Sequence, residues 1–371
     1  MDLQALRAQI NQLDETILSA FAQRMTICRQ VGVYKKENHM PVFQKDREDQ
    51  VIQRIRDMAP PDMSQGAAAL FAAIMDISKC YQQQVLADAS WMPSFQQVKT
   101  LSCARAGCQG TRGSNSETAL RMLFPEAEAK FYATFGDVCK AVGSGEIDFG
   151  ILPIQNTTTG TVIPTYELLH QQVGYIAATV NLEIRHCLAI RKDMDPAKLT
   201  TVCSHPQALQ QCSGFLRESG LEQLSYSNTA TAARFVAQSP LPYAAVCSPR
   251  CAEQYGLRIL RPDIADAREN VTKFICFSKE CLIPEQADTI SIIAELPNRA
   301  GSLSRMLNKF AANGLDLQKL ESRPVADGSF DVRFYLDFSG NVLDPRVNAL
   351  LADLAGSLSE FRFLGNHQTL G

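Results

Sequence analysis

Leu3, Leu6, Ile10, Leu13, Ile17, Ala20, Ile27 and Val31 recur at three- and four-residue spacing, with no Gly or Pro before Gly32. This pattern predicts a long amphipathic helix over 3–33. Pro41 interrupts it. A second helical pattern runs from about Lys45 to Met58, where Pro60-Pro61 stops it, and a third covers about Met63 to Ala87. The first helix would be about 45 Å long at 1.5 Å per residue, and three such helices can hardly bury their stripes within one chain. An intertwined helical dimer is the expected remedy.

From about 98 to 278 the pattern changes to short apolar runs, each followed by a helical one. Phe149 to Ile154 precedes Thr165 to His170; Leu199 to Cys203 precedes Pro206 to Glu218; Tyr243 to Cys247 precedes Arg250 to Tyr255. This alternation predicts an α/β domain whose ligands sit beyond the carboxyl ends of the strands. Leu86 to Gln97 and Lys279 to Ala287 read as linkers. The tail reads strand, helix, strand, strand, helix, strand: Thr289 to Leu296, Ala300 to Asn313, Leu317 to Arg323, Ser329 to Phe338, Asp344 to Leu358 and Arg362 to Gly365. That is the order of a ferredoxin-like α+β unit. Three segments result: 1–88, 98–278 and 288–371.

The length of 371 residues agrees with several cores, and 46% hydrophobic with 20% charged residues is ordinary globular composition. A formal net charge of −3 supplies no positive field for nucleic acid or an anionic membrane. The N-terminus is polar, no apolar run approaches the roughly 18 residues of a spanning helix, and a cytoplasmic protein is expected. Twelve Cys and five His are scattered without CxxC spacing or a ligand cluster, so reduced, packed thiols and no metal site are expected.

Candidate chemistry starts where polar groups enter the helical stripe. Counting Leu3, Ile10 and Ile17 as heptad position a puts Arg24 at the next a position, with Arg7 and Lys35 at e. On the second helix Arg47 shares a face with Val51 and Ile55, and Glu48 with Ile52 and Ile55; on the third, Ser78 and Gln82 align with Phe71, Ile74 and Val85. An unpaired buried charge costs several kcal/mol, so these groups either pair with each other or enclose an anionic ligand. Their order, with Leu13-Asp14, Pro41-Val42 and Asp46, resembles the all-helical chorismate mutase domain that opens bifunctional chorismate mutase/prephenate dehydratases. The resemblance implies that Arg24, Arg47 and Arg7 of a partner chain hold the carboxylates of chorismate. It also implies that Lys35 and Gln82 donate to the ether oxygen, and that Glu48 and Ser78 assist binding. Gln44 stands where an Asp is common in the family, which should weaken a hydroxyl contact.

In the middle segment, Gly110, Gly113-Ser114 and Ser116-Glu117, then Pro153 to Gly160, Ser204-His205-Pro206-Gln207 with Gln211, and Val271-Thr272-Lys273-Phe274 resemble the prephenate dehydratase domain. Singly these clusters read as turns and helix caps; together they describe a cleft for a small anion. The resemblance implies a two-lobed fold like that of periplasmic binding proteins, Thr272 as donor to the leaving hydroxyl, and Asn156, Ser204 and Gln211 as orienting groups. Lys273 stands where the family usually has Arg, and Gln155 where it has Glu; both are expected beside the substrate. Lys keeps the charge without the planar fork, and Gln cannot ionise.

In the tail, Gly301-Ser302-Leu303 and Glu321-Ser322-Arg323-Pro324 resemble the phenylalanine-sensing ACT domain of prephenate dehydratases. The resemblance implies phenylalanine binding at Gly301, Ser302, Leu303, Glu321, Ser322 and Arg323, against the plainer reading of a helix start and a surface pair. The whole chain is thus expected to be a homodimer or homotetramer that converts chorismate to prephenate and then to phenylpyruvate without a cofactor, with phenylalanine as inhibitor. The alternative is a mutase whose middle domain does not dehydrate and instead senses aromatic metabolites.

Overall fold

The structure is a computed structural model and describes residues 2–42, 44–86, 91–171, 174–267, 269–325 and 331–370. The expected end of the third helix at Ala87, residues 87–90 of the first linker, and Ser329 and Phe330 of the tail strand lie outside the described residues. The chain divides into two compact units, one of residues 1–93 with 288–363 and one of residues 94–287 with 364–371.

In the first unit, α1 (Leu3–Glu37), α2 (Lys45–Met58) and α3 (Ser64–Leu86) follow the predicted bounds closely. Asp2 caps α1 by accepting from the Gln4 amide at 3.0 Å. The helices meet where small residues allow it: a Cβ on Gly32 would stand 3.1 Å from the Gln82 Cα and 3.3 Å from its carbonyl oxygen. That close approach lays α1 along α3 at the position of Gln82. Away from this contact the α1 stripe is open, with Leu3 59%, Ile10 55%, Leu13 62% and Ile17 61% exposed.

The tail residues of this unit form a sheet in the order Leu317–Pro324, Val332–Ser339, Thr289–Leu296, followed by the strand Phe361–Leu370, of which residues 361–363 belong to this unit and 364–370 to the second. Its helices, Ser302–Ala312 and Pro345–Ser357, pack against α3. Within this packing Lys309 and Asp353 form a buried ion pair at 2.5 Å. Removing one partner of such a pair costs about 3–5 kcal/mol, because the other charge is left buried.

The second unit holds two larger sheets and a two-stranded ribbon. The first runs Tyr175–Glu183, Val271–Ser278, Phe149–Asn156, Arg105–Gln109, Glu128–Tyr132, and residues Gln368, Thr369 and Leu370 pair parallel with Ala178, Thr179 and Val180 on its edge. The second runs Arg258–Arg261, Cys187–Ile190, Tyr243–Cys247, Thr201–Ser204, Glu222–Ser225. Each carries its own buried cluster, centred on Leu120, Phe149 and Phe274 in one lobe and on Val202, Leu216 and Val246 in the other. Among the described residues two segments cross between the lobes, residues 184–186 and the stretch 262–267 with 269–270, and they hold each other: the Ile184 amide donates to the Asn270 carbonyl at 2.7 Å, and the Ile264 amide to the His186 carbonyl at 2.9 Å.

Two expectations are corrected here. The segments read as linkers pair with each other as a parallel ribbon, Phe95–Val98 against Cys281–Pro284; a pairing across about 185 residues leaves no mark on local periodicity. The helix expected over 206–218 is broken into Pro206–Gln211 and Ser213–Ser219 at Cys212, whose φ of −115° and ψ of 20° leave the helical region. Among the described residues no helix is long and apolar enough to cross a membrane.

Candidate functional site

The helical unit gathers most of its inward polar groups on facing sides of α1, α2 and α3. Arg24 donates to the Ser78 hydroxyl, and Ser78 in turn donates to the Ile74 carbonyl at 2.6 Å. Lys35 is buried and donates to the Val42 carbonyl at 2.7 Å, leaving two ammonium protons for another acceptor. Burial lowers the Lys35 pKa, opposed by the nearby charge of Glu48. The Gln82 side-chain nitrogen donates to the Ser78 carbonyl at 3.4 Å, and its oxygen is buried without a hydrogen-bond partner among the described residues.

Sequence reasoning missed Lys79, whose ammonium lies 3.0 Å from Glu48 and 2.9 Å from Asp76. Burial works to lower its pKa, and the two carboxylates outweigh burial and raise it. Lys79 therefore straps α2 to α3 and fixes where the Glu48 carboxylate sits. Two expected residues are not gathered. Arg47 is exposed on α2 beside Gln44 and Asp46. Arg7 is exposed on α1, seventeen residues and so about 25 Å along the helix from Arg24.

The second unit holds a cavity of about 420 Å³ between its lobes. Its wall includes Ser114, Asn115 and Ser116 at one helix start and Ser227, Asn228 and Thr229 at another. Ser114 caps the helix Asn115–Leu123 by accepting from the Glu117 amide at 3.2 Å, and Asn228 caps Thr229–Gln238 by accepting from Thr231 at 2.7 Å. Among the described residues no Lys, Arg, Asp or Glu lines this cavity. An anion inside it would be met by hydroxyls, amides and the positive ends of helices.

Asn156 and Thr272 lie opposite each other on neighbouring antiparallel strands and both face the cavity. The Asn156 side-chain oxygen accepts from the backbone amides of Thr158 and Thr159, both at 2.9 Å. Backbone N–H groups can only donate, so the orientation of that amide is fixed. Its nitrogen then donates to the Thr272 hydroxyl oxygen at 2.9 Å. With its oxygen already accepting, Thr272 keeps its own proton for the cavity.

Strand geometry corrects the placement of the two departing residues. Lys273 is the cross-strand partner of Gln155, one position along from the Thr272 and Asn156 pair, and the bulge in register comes after them. Successive side chains point to opposite faces of a strand, and neither Gln155 nor Lys273 lines the cavity. Ser204 is also off the wall: fully buried, it donates to the Val246 carbonyl at 2.6 Å and ties two strands of its lobe together. Gln211 does line the cavity, together with Gln207 and Phe274 of the same motifs and with His186 and Asn270, which the sequence did not single out. Burial lowers the pKa of His186, opposed by its hydrogen bond to Gln211.

In the tail, Gly301 opens its helix in the left-handed region at φ 82°, where only Gly is unstrained. Ser302 follows with a buried hydroxyl lacking a partner. Leu303 is half-buried on the same turn. Glu321 and Arg323 pair at 2.9 Å on one face of their strand, with Ser322 exposed on the other.

Fold and sites together define a two-site enzyme for small anionic substrates, with one site among helices and the other in a two-lobed cleft. The chorismate mutase type II family pattern matches residues 6–83, and the prephenate dehydratase pattern matches residues 106–282. A bifunctional chorismate mutase/prephenate dehydratase of Escherichia coli K12 is 30% identical over 98% of this chain and 95% of its own length. An arogenate dehydratase/prephenate dehydratase of Arabidopsis thaliana is 35% identical over 71% of this chain and 72% of its own. The crystal structure of a prephenate dehydratase from Arthrobacter aurescens in complex with L-Phe superposes with a TM-score of 0.65 at 29% identity, covering 72% of this chain and 90% of that one. The chain belongs to the bifunctional chorismate mutase/prephenate dehydratase family.

Proposed function

We propose that residues 1–88 rearrange chorismate to prephenate, that residues 98–278 convert prephenate to phenylpyruvate, and that residues 288–371 form an ACT module through which phenylalanine inhibits the enzyme. The first reaction is pericyclic and needs neither nucleophile nor proton shuttle. Its catalysis comes from clamping the substrate in a reactive conformer and stabilising charge that develops on the ether oxygen. Arg24 and Arg47 take the carboxylates, with Arg7 supplied by a second copy. Lys35 and Gln82 donate to the oxygen as the C–O bond lengthens, an interaction strongest in the transition state. Glu48 and Ser78 orient the substrate.

The open apolar stripe of α1 and the distance of Arg7 from Arg24 support a homodimer built around α1, as a bare dimer or within a tetramer. The twelve cysteines, all free, suit the reducing cytoplasm.

In the second reaction the ring carboxylate leaves as CO2 and the ring hydroxyl as water, driven by aromatisation. Thr272 donates to the departing hydroxyl while Asn156 holds the Thr272 oxygen from behind. A threonine hydroxyl is a weak acid, so its contribution rests on a positioned hydrogen bond in a cavity shielded from bulk water. Gln211 and the two helix starts receive the substrate carboxylates. Lys273 and Gln155 support the strand pair from behind the wall. Phenylalanine is placed at Gly301 to Leu303 with Glu321 to Arg323; the exposed amides of a helix start suit its carboxylate.

The observation that carries this reading is the Asn156 to Thr272 bond, which leaves one hydroxyl proton pointing into an uncharged cavity. The test is to supply chorismate to the purified protein and follow chorismate loss and phenylpyruvate gain. Chorismate loss with lasting prephenate accumulation would favour the non-dehydrating alternative.

A further inference from the structure

The orientation imposed on Asn156 does not stop at Thr272. The Asn156 nitrogen also donates to the Asn270 side-chain oxygen at 2.7 Å, so the other end of the Asn270 amide is its NH2. That NH2 donates to the Gln211 side-chain oxygen at 3.3 Å. His186 Nε2 lies 2.9 Å from the same Gln211 oxygen, and a ring nitrogen facing an acceptor must carry its proton there. The His186 Nδ1 is buried without a partner, as fits the neutral ring. With two donors on its oxygen, Gln211 can present only its NH2 to the cavity.

We propose that Asn270 is a positioning residue for the dehydration: it passes the donor polarity set by the 156–159 turn across to Gln211 and so fixes two hydrogen-bond donors, Thr272 and Gln211, toward the substrate. The inference rests on the dehydratase reading of the cleft. Its weight comes from the missing charges. Because no Lys or Arg among the described residues lines the cavity, a dicarboxylate there is met by neutral donors that must face the right way, and an inverted Gln211 would aim a carbonyl oxygen at an anion. Placement supports the same role. Asn270 ends one crossover between the lobes and His186 ends the other, and the two crossovers are bonded to each other through the Asn270 and His186 carbonyls. Asn156 and Thr272 belong to one lobe, whereas Gln211 belongs to the other. Asn270, buried at 3% exposure, is thus the side chain that ties the donor of one lobe to the donor of the other at the hinge between them.

The experiment is a double-variant cycle in the full-length chain, with prephenate dehydration and chorismate loss measured separately. Asn270→Ala should lower kcat/KM for prephenate at least tenfold while mutase turnover, which reports folding, stays unchanged. In a Gln211→Ala background the same substitution should cost less than threefold, since Gln211 no longer needs orienting. Asn270→Asp keeps the acceptor for Asn156 but cannot, as a carboxylate, donate to Gln211, and should lose activity as the alanine variant does. Equal losses in both backgrounds, or wild-type kcat/KM in either Asn270 variant, would overturn the proposal. Phenylpyruvate formation by the unaltered chain reports separately on the dehydratase reading.

Discussion

The helical site and the cleft solve the problem of holding a small anion in opposite ways. The helices bring charges: Arg24, Lys35, Lys79 and Glu48 crowd into one seam, held by ion pairs and by hydrogen bonds to serine and backbone. Among the described residues the cleft wall carries no Lys, Arg, Asp or Glu, and it offers helix starts, hydroxyls and an oriented run of side-chain amides. The described wall of the cleft comes from one chain. The helical site, on the proposed reading, needs a second copy, since Arg7 lies remote from Arg24 along the same helix. The contrast teaches that long cationic side chains suit the proposed sharing of a site across a seam, whereas a site of neutral donors depends on short, fixed hydrogen bonds within one frame.

The sharpest way to separate the sites is Arg24→Ala. It should abolish chorismate turnover while prephenate dehydration stays within about twofold, because loss of one charge-assisted clamp costs several kcal/mol in one site and nothing in the other. Both rates measured on one preparation decide this, and equal loss in a folded variant would defeat the independence of the sites. Next in size is the effect of splitting the proposed dimer. Leu13→Glu with Ile17→Lys should yield smaller particles in sedimentation, with chorismate turnover lost and dehydration per chain retained. An active mutase monomer would remove the partner role of Arg7.

Thr272→Ala should reduce phenylpyruvate formation at least about tenfold, equivalent to about 1.4 kcal/mol of transition-state stabilisation. The two sites should also differ in their pH profiles. Burial lowers the Lys35 pKa, and only the protonated ammonium can donate, so mutase turnover should be present below that pKa and lost as pH rises through it, earlier than an ordinary lysine would dictate. The cleft has no lysine among the described residues of its wall and should show no such alkaline fall; a matching fall in both activities would contradict the comparison. The smallest effect is expected from Lys273→Arg with Gln155→Glu, which should change dehydration by less than about twofold because the pair lies behind the wall, and a switch from no dehydration to activity would show that these positions matter after all.

Much of this was legible in the chain. α2, Tyr243–Cys247 and Thr289–Leu296 are found at their predicted bounds, because each has a strong period and a clear terminator. The ribbon of Phe95–Val98 with Cys281–Pro284 was not, since its strands are four residues each and their partners are remote in sequence. Asn156, Thr272 and Gln211 could be picked from motifs, but the same motifs carried Gln155, Lys273 and Ser204 along with them. Alternation along a strand separates Gln155 and Lys273 from their neighbours once Asn156 and Thr272 are taken as facing the substrate. Asn270, His186 and Lys79 had no such signal, because each matters through contacts that exist only when distant elements meet.

The most direct test of two sites working in sequence is a time course on the full chain given chorismate, with the Thr272→Ala variant run beside it. The unaltered protein should consume chorismate and release phenylpyruvate, and the variant should consume chorismate at the same rate while prephenate accumulates. Undiminished phenylpyruvate from the variant, or chorismate left unconsumed by the unaltered protein, would contradict the account.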